Sequence, residues 1–129
     1  MALHITTSLA AVLAFILVWL SWATIMARVK HDTDIGDAGI DAVRRAVRGH
    51  GNFTEYAPLA LALVGLLEYQ GAPRILVAAL AVVFVTGRIF HPFGIRQPKS
   101  PNFARVVGFL STLLVLVVGA GYALYMTWA

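Results

Sequence analysis

The sequence contains no cysteine and few charged residues, and each shortage excludes a class of function. Without cysteine the chain has no disulfide, no thiolate nucleophile of its own and no sulfur-ligated metal site. Only 12% of its residues are charged and 60% are hydrophobic, which excludes an ordinary soluble domain and is typical of integral membrane proteins. The net charge of +4 does not indicate a nucleic-acid partner, because the basic residues are concentrated in loops between apolar segments.

Four apolar segments predict an all-α fold, an integral membrane four-helix bundle formed by a single domain over residues 1–129. The expected helices cover about 5–27, 38–68, 74–90 and 102–128. The first lacks any acid, lysine or arginine over 23 residues, enough to cross a hydrocarbon core of about 30 Å. The apolar part of the second, 57–67, is too short to cross alone. We expect Asp37 or Asp41 to cap the second helix and Ser100 the fourth, with residues 91–101 as a loop.

The basic residues are distributed unevenly among the connections. Of the ten lysines and arginines, nine belong to the first and third connections and the helix ends beside them, and only Arg74 lies on the second. Because lysine and arginine are enriched in cytoplasmic loops, we expect loops 1 and 3 in the cytoplasm and both termini outside an inner, cytoplasmic membrane. The start of the second helix and the start of the fourth then share one membrane depth.

Polar side chains of four kinds interrupt the start of the second helix. At 3.6 residues per turn, Arg48, Asn52 and Glu55 fall on one face, and Tyr56 flanks that face. The plain alternative for each is an interfacial group at a helix terminus, but ionisable residues at membrane depth mark a functional site by default. The rise from Arg48 to Glu55 is roughly 10 Å, which suits a small zwitterion held at both ends.

Further cations are expected at the same depth. Arg105 lies about one turn inside the fourth helix, where a guanidinium and a helix N-terminus can hold an anion; its alternative is a side chain that snorkels to lipid headgroups. Arg88 and His91 share a face at the end of the third helix. This set suits a ligand with carboxylates, an ammonium and an ionisable thiol. No metal site is predicted, because the histidines lack metal-type spacing and the acids near His31 lack a complete calcium loop.

Two stretches carry a resemblance to a known family. The pattern Arg48-x-x-x-Asn52-x-x-Glu55-Tyr56-x-Pro58, together with Gly87-Arg88-x-x-His91-x-x-Gly94 before an arginine early in the fourth helix, resembles the MAPEG superfamily. These are the membrane-associated proteins in eicosanoid and glutathione metabolism, and the likeness covers nearly the whole chain. The resemblance implies a homotrimer of four-helix bundles that binds glutathione between neighbouring subunits, near the cytosolic side.

The same resemblance implies roles for individual residues. Arg105 would be the catalytic residue that stabilises the glutathione thiolate, and glutathione would be bound by Arg48, His50, Asn52, Glu55, Tyr56, Arg28, Arg88 and His91. The implied activity is that of a membrane-bound glutathione transferase or peroxidase in detoxification, with glutathione as co-substrate. Its second substrate is a lipophilic electrophile from the bilayer; membrane lipids are further partners, and neither a metal nor nucleic acid is expected.

Two other functions stay open. Ile95 stands where several catalytic relatives carry a tyrosine that contacts the ligand, a departure that favours a scaffold which binds lipid or glutathione without catalysis. A small four-helix transporter that uses Glu55 for protons or cations is the remaining alternative, although arginines beside that carboxylate would repel a cation.

Overall fold

A computed structural model describes residues 2–99 and 101–128, which are helical almost throughout. The helices are α1 (His4–Lys30), α2 (Asp41–Tyr69), α3 (Arg74–Arg96) and α4 (Phe103–Trp128). The prediction of an all-α chain with four helices is confirmed. In the part of the chain described, α1, α3 and α4 are long and apolar enough to cross a membrane. The first half of α2 carries five charged residues: Asp41, Arg44, Arg45, Arg48 and Glu55.

Successive helices run in opposite directions, and all four contribute side chains to the core. In the described ranges α1 packs on α2 and α3, and α4 packs on α3 and α2, but α1 and α4 do not touch. The core includes Leu20, Phe53, Val64, Val77, Phe84 and Val115. Many other large apolar side chains, such as Phe15 and Val117, are exposed, as expected for helices that face lipid. We call the end with residues 31–40, 97–99 and 101–102 the arginine end, and the end with the start of α1, residues 70–73 and the end of α4 the turn end.

The start of α1 is capped by a side chain from far along the chain. Glu68 accepts hydrogen bonds from the backbone amides of Ile5 (2.9 Å) and Thr6 (2.7 Å) and from the Thr6 hydroxyl (2.6 Å). The first amides of a helix have no acceptor within the helix, and Leu3 at the N-cap position has an apolar side chain. Glu68 therefore joins the end of α2 to the start of α1.

The expected cap of α2 by an aspartate is wrong. Ile40 occupies the N-cap position, and isoleucine has no side-chain acceptor. Asp37 instead accepts hydrogen bonds from the Gly39 amide (2.9 Å) and from Arg44 Nε (2.8 Å), and these bonds lower the pKa of the Asp37 carboxyl. Arg44 also pairs with Asp41 at 2.9 Å. Asp37 and Asp41 therefore bind Arg44 rather than capping the N-terminus of α2.

The expected end of the third helix near Phe90 is wrong, because α3 continues to Arg96. Pro92 lies inside it, although a proline removes one backbone hydrogen bond of a helix. Arg45 on α2 stabilises the last turn of α3, because its Nη1 donates to the carbonyls of Ile95 (3.3 Å) and Gln97 (2.6 Å). The residues expected as a loop therefore begin with a helical turn that α2 stabilises.

Helices α3 and α4 come very close at the arginine end. A Cβ atom on Gly108 would lie 2.7 Å from the backbone nitrogen of His91, and one on Gly94 would lie 2.6 Å from Cα of Arg105. These separations are shorter than real side-chain contacts, so glycine is required at both positions. The crossing fixes the backbone of Arg105 directly against α3.

Asn102 completes this crossing as the cap of α4. Its Oδ1 accepts the Arg105 amide at 3.0 Å, and its Nδ2 donates to the Gly94 carbonyl at 2.7 Å. This is the geometry of a side chain that caps the third residue of a helix. Ser100, the cap expected from the sequence, lies outside the described residues.

Candidate functional site

A cavity of about 620 Å³ opens at the arginine end, between α2, α3 and α4. Its volume is in the range of small-molecule sites. It is lined by Arg44, Arg45, Arg48, Asn52, His91, Ile95, Pro101, Arg105, Val106, Phe109 and Leu110. Four of these residues are arginines, and no acid belongs to the lining among the residues described. The arrangement suits an anionic ligand with an apolar portion. We call it the arginine cavity.

Arg48 links the arginine cavity to the outer surface of α2. Its Nη1 lies 3.4 Å from Oε1 of Glu55, and the two side chains are 59% and 51% exposed. Arg48 lines the cavity, whereas Glu55 lies just outside the lining. The structure therefore brings these two predicted site residues together on one face, as expected, with both charges open to a neighbouring molecule.

Asn52 connects the cavity to a buried cation. Its Oδ1 accepts a hydrogen bond from Arg88 Nη1 at 2.9 Å, and Arg88 Nη2 donates to the Gly108 carbonyl at 3.2 Å. Arg88 is only 1% exposed, its Nε has no hydrogen-bond partner in the described structure, and no ion pair to it occurs there. Arg88 thus stands behind the cavity wall and ties α2 to α4 through Asn52 and Gly108.

Aromatic rings pack around these polar groups. The Tyr56 ring meets Phe109 edge-on at 5.9 Å between centroids, and the His91 ring lies 6.4 Å from Phe109. The Arg88 guanidinium lies over the rings of Tyr56 at 5.9 Å and Phe84 at 5.6 Å. Such cation–π contacts are attractive, and more so where water is excluded. Tyr56 is therefore positioned beside the cavity by Phe109 and Arg88.

Two predicted site residues lie elsewhere. His50 Nε2 is 3.1 Å from the Ser21 hydroxyl on α1, on the side of α2 that faces away from the arginine cavity. Arg28 Nε donates to the Gly36 carbonyl at 3.3 Å, within the connection between α1 and α2. The structure brings the other predicted residues together, either in the lining or in contact with it. Their roles toward glutathione stay predictions.

Two cavity residues were missed by reasoning from the sequence. Arg44 and Arg45 line the cavity, and they precede Arg48 by four and three residues, so helical spacing places all three on neighbouring positions. This spacing alone would have predicted Arg44 and Arg45 as neighbours of Arg48 in the site. The hydrogen bonds from Arg45 to the end of α3 show that it also builds the wall it lines.

Comparison with known proteins agrees with this architecture. The MAPEG family profile matches residues 6–125. The Inner membrane protein YecN of Escherichia coli K12 is 33% identical over 81 residues, which are 63% of this chain and 62% of YecN. YecN of Escherichia coli O6:H1, strain CFT073, gives the same values. The match spans less than two thirds of the length of these curated relatives. No solved structure matches the chain significantly.

The matched region of the family profile contains all of α2 and α3, and it leaves out only the first residues of α1 and the last residues of α4. It includes both stretches in which the resemblance was seen, that on α2 and that leading from α3 to α4. The chain belongs to the MAPEG family.

Proposed function

We propose that this protein is a glutathione transferase or peroxidase of the inner membrane that acts on lipophilic electrophiles. The arginine cavity carries this proposal. Glutathione has two carboxylates and one ammonium, and the planar fork of arginine binds a carboxylate through two parallel hydrogen bonds. Arg48 and Arg105 offer such groups around a volume of about 620 Å³, and Arg44 and Arg45 add positive charge to its wall. The apolar part of the lining, toward Phe109 and Leu110, would receive the second substrate from the bilayer.

Arg105 is the proposed thiolate-stabilising residue. It lines the cavity at the third position of α4, with its backbone fixed by Asn102. Lowering a thiol pKa from ~8.5 to ~6.5 requires roughly 2.7 kcal/mol of preferential thiolate stabilisation, which a guanidinium in a partly water-excluded site can supply. The thiolate sulfur would then bond to the electrophilic carbon while the leaving group departs with its electron pair.

The exposed pair Arg48–Glu55 supports a site shared between subunits. Both side chains are about half exposed, and Leu59 and Leu66 on the same helix are exposed as well. Charges that face lipid are costly, so the proposal includes a homotrimer in which a neighbouring subunit covers this face. Glu55 would take the ammonium of glutathione. With the arginine end toward the cytoplasm, the site would draw on cytoplasmic glutathione.

Ultraviolet absorbance of the thiolate on adding glutathione to the purified protein tests the proposal. We expect the thiolate signal in the wild type and its loss in Arg105→Ala, with glutathione affinity by calorimetry largely retained. Glu55→Gln should weaken the affinity, because the ammonium loses its counter-charge. Lys30→Ala, an exposed cation outside the cavity lining, is the matched control. A thiolate signal in Arg105→Ala equal to that of the wild type would refute the role of Arg105.

A non-catalytic scaffold is the second candidate, and Ile95 favours it. This residue is 8% exposed and lines the cavity, so the wall there is apolar at the place where the resemblance implies a tyrosine in catalytic relatives. Glutathione binding without a thiolate signal and without conjugation of a lipophilic electrophile would support the scaffold. Thiolate formation with turnover would exclude it.

A further inference from the structure

A second cavity, of about 400 Å³, lies at the turn end between α1 and α3. It is separate from the arginine cavity, with no lining residue in common. Its lining consists of His4, Ile5, Ser8, Leu9, Val12, Arg74, Ala78, Ala81, Val82 and Val85. We call it the α1–α3 groove.

The groove is polar at one end and apolar along the rest. His4 and Arg74 are the first residues of α1 and α3, whereas the lining beyond Ser8 is aliphatic as far as Val12 and Val85. At 1.5 Å per residue the lining extends about 12 Å along α1 and about 16 Å along α3. One leaflet of the hydrocarbon core is about 15 Å deep. The groove therefore has the depth of one leaflet, with its polar end at the membrane surface.

The charge at the polar end is unusual for its place in the chain. Arg74 is the single lysine or arginine, out of ten, on the second connection, so the bias that sets membrane orientation does not explain it. No acid is part of the groove lining among the described residues. The nearby carboxylate of Glu68 is already hydrogen-bonded to Ile5 and Thr6. The polar end thus presents the Arg74 guanidinium and the His4 imidazole beside the aliphatic part of the groove.

We propose that the α1–α3 groove binds an anionic phospholipid, with one acyl chain along the aliphatic lining and the phosphate against Arg74. A guanidinium binds phosphate through paired, charge-assisted hydrogen bonds, and His4 adds a donor at the same surface. The small residues Ala78 and Ala81 leave the space that the chain occupies. This site differs from the arginine cavity in ligand and leaflet, because the two cavities border opposite ends of α3, and it stands independently of the proposed function.

Native mass spectrometry of the detergent-solubilised full chain tests this site. Phosphatidylglycerol and phosphatidylcholine with identical acyl chains are the two probes. We expect one phosphatidylglycerol to bind the wild type about fivefold more tightly than phosphatidylcholine, from roughly 1 kcal/mol per basic residue at a membrane surface. Arg74→Gln should abolish this preference, and Arg74→Lys should keep most of it. Lys30→Ala, at the arginine end, is the control and should keep the full preference.

Two further variants test whether an acyl chain fills the aliphatic part of the α1–α3 groove, or whether a second copy of the chain does. Ala78→Leu fills the groove without changing charge, so it should weaken binding of both lipids. Val82→Cys places one cysteine in a chain that has none; labelled with a fluorophore, it should be quenched by brominated phosphatidylglycerol more than by brominated phosphatidylcholine. Equal affinity of the wild type for both lipids, an unchanged preference in Arg74→Gln, or a disulfide between Val82→Cys copies showing that a second chain fills the groove would each overturn the proposal.

Discussion

Replacing Asn52 by leucine should destabilise the bundle, because it removes the side-chain acceptor of a buried guanidinium. Arg88 is 1% exposed and donates to Asn52 Oδ1 and to the Gly108 carbonyl. Leucine has the same branched arrangement of side-chain heavy atoms as asparagine, so the change removes the hydrogen-bond acceptor without leaving a cavity. After the substitution Arg88 keeps only the backbone acceptor among its present hydrogen-bond partners.

The expected cost follows from the hydrogen bond that the substitution removes. A hydrogen bond to a charged group contributes about 1.5–3 kcal/mol, and removing one member of a buried ion pair costs about 3–5 kcal/mol. Asn52 is neutral, and it faces the arginine cavity, where water can reach the freed guanidinium. We therefore expect a decrease of about 2–3 kcal/mol in the free energy of unfolding, or roughly a 30- to 150-fold change in the unfolding equilibrium.

Unfolding by SDS titration in mixed micelles, followed by circular dichroism, measures this decrease. The double variant Asn52→Leu with Arg88→Met carries neither the donor nor its acceptor, so it should be more stable than Asn52→Leu alone. The Gly108 carbonyl keeps a partner in that variant, the Thr112 hydroxyl at 3.1 Å. Additive effects in the double variant would refute the reasoning, because they would show that Asn52 and Arg88 do not stabilise each other.

Three further outcomes follow from contacts elsewhere in the chain. Glu68→Ala should lower the free energy of unfolding by about 1–2 kcal/mol, the usual cost of removing a helix cap, in the same SDS titration; an unchanged midpoint would contradict the capping role. Gly94→Ala should destabilise by about 1–3 kcal/mol through overpacking, whereas Gly121→Ala, with nothing within 4 Å of its added Cβ, should be neutral or stabilising; equal effects would contradict the close crossing. Asp37, whose carboxylate accepts the turn amide and Arg44, has a lowered pKa, so its contribution is present above the unfolded pKa and is lost as the pH falls through the folded value. In an NMR pH titration Arg44→Gln should raise that midpoint, and an unmoved midpoint would contradict the contact.

The membrane helices were predictable from the sequence, but their ends were not. Long apolar runs specify α1 and α4 by length alone. The end of α3 depends on Arg45, which lies 50 residues away from Ile95 in the sequence. The prediction of a loop over 91–101 therefore ended the helix too early, because local sequence does not show a donor from another helix.

The candidate site was predictable where helical spacing and antiparallel order determine position. Arg48 and Asn52 share a face because they are four residues apart, and Arg105 joins them because the starts of α2 and α4 lie at one end of the bundle. The same spacing argues against His50, since residues two apart point to different sides of a helix. The position of Arg88 behind the wall was not predictable, because it depends on the close approach of Gly108 on α4.

The cap formed by Glu68 bears on how the chain enters the bilayer. The amide of Ile5 at the start of α1 donates to Glu68, which lies 63 residues later in the sequence, near the C-terminal end of α2. Until α2 has formed, the first amides of α1 lack their carboxylate acceptor and have only water at the membrane surface to bind. The first two helices therefore reach their lowest free energy as a closed hairpin, and this pair forms a natural unit of insertion on which α3 and α4 assemble.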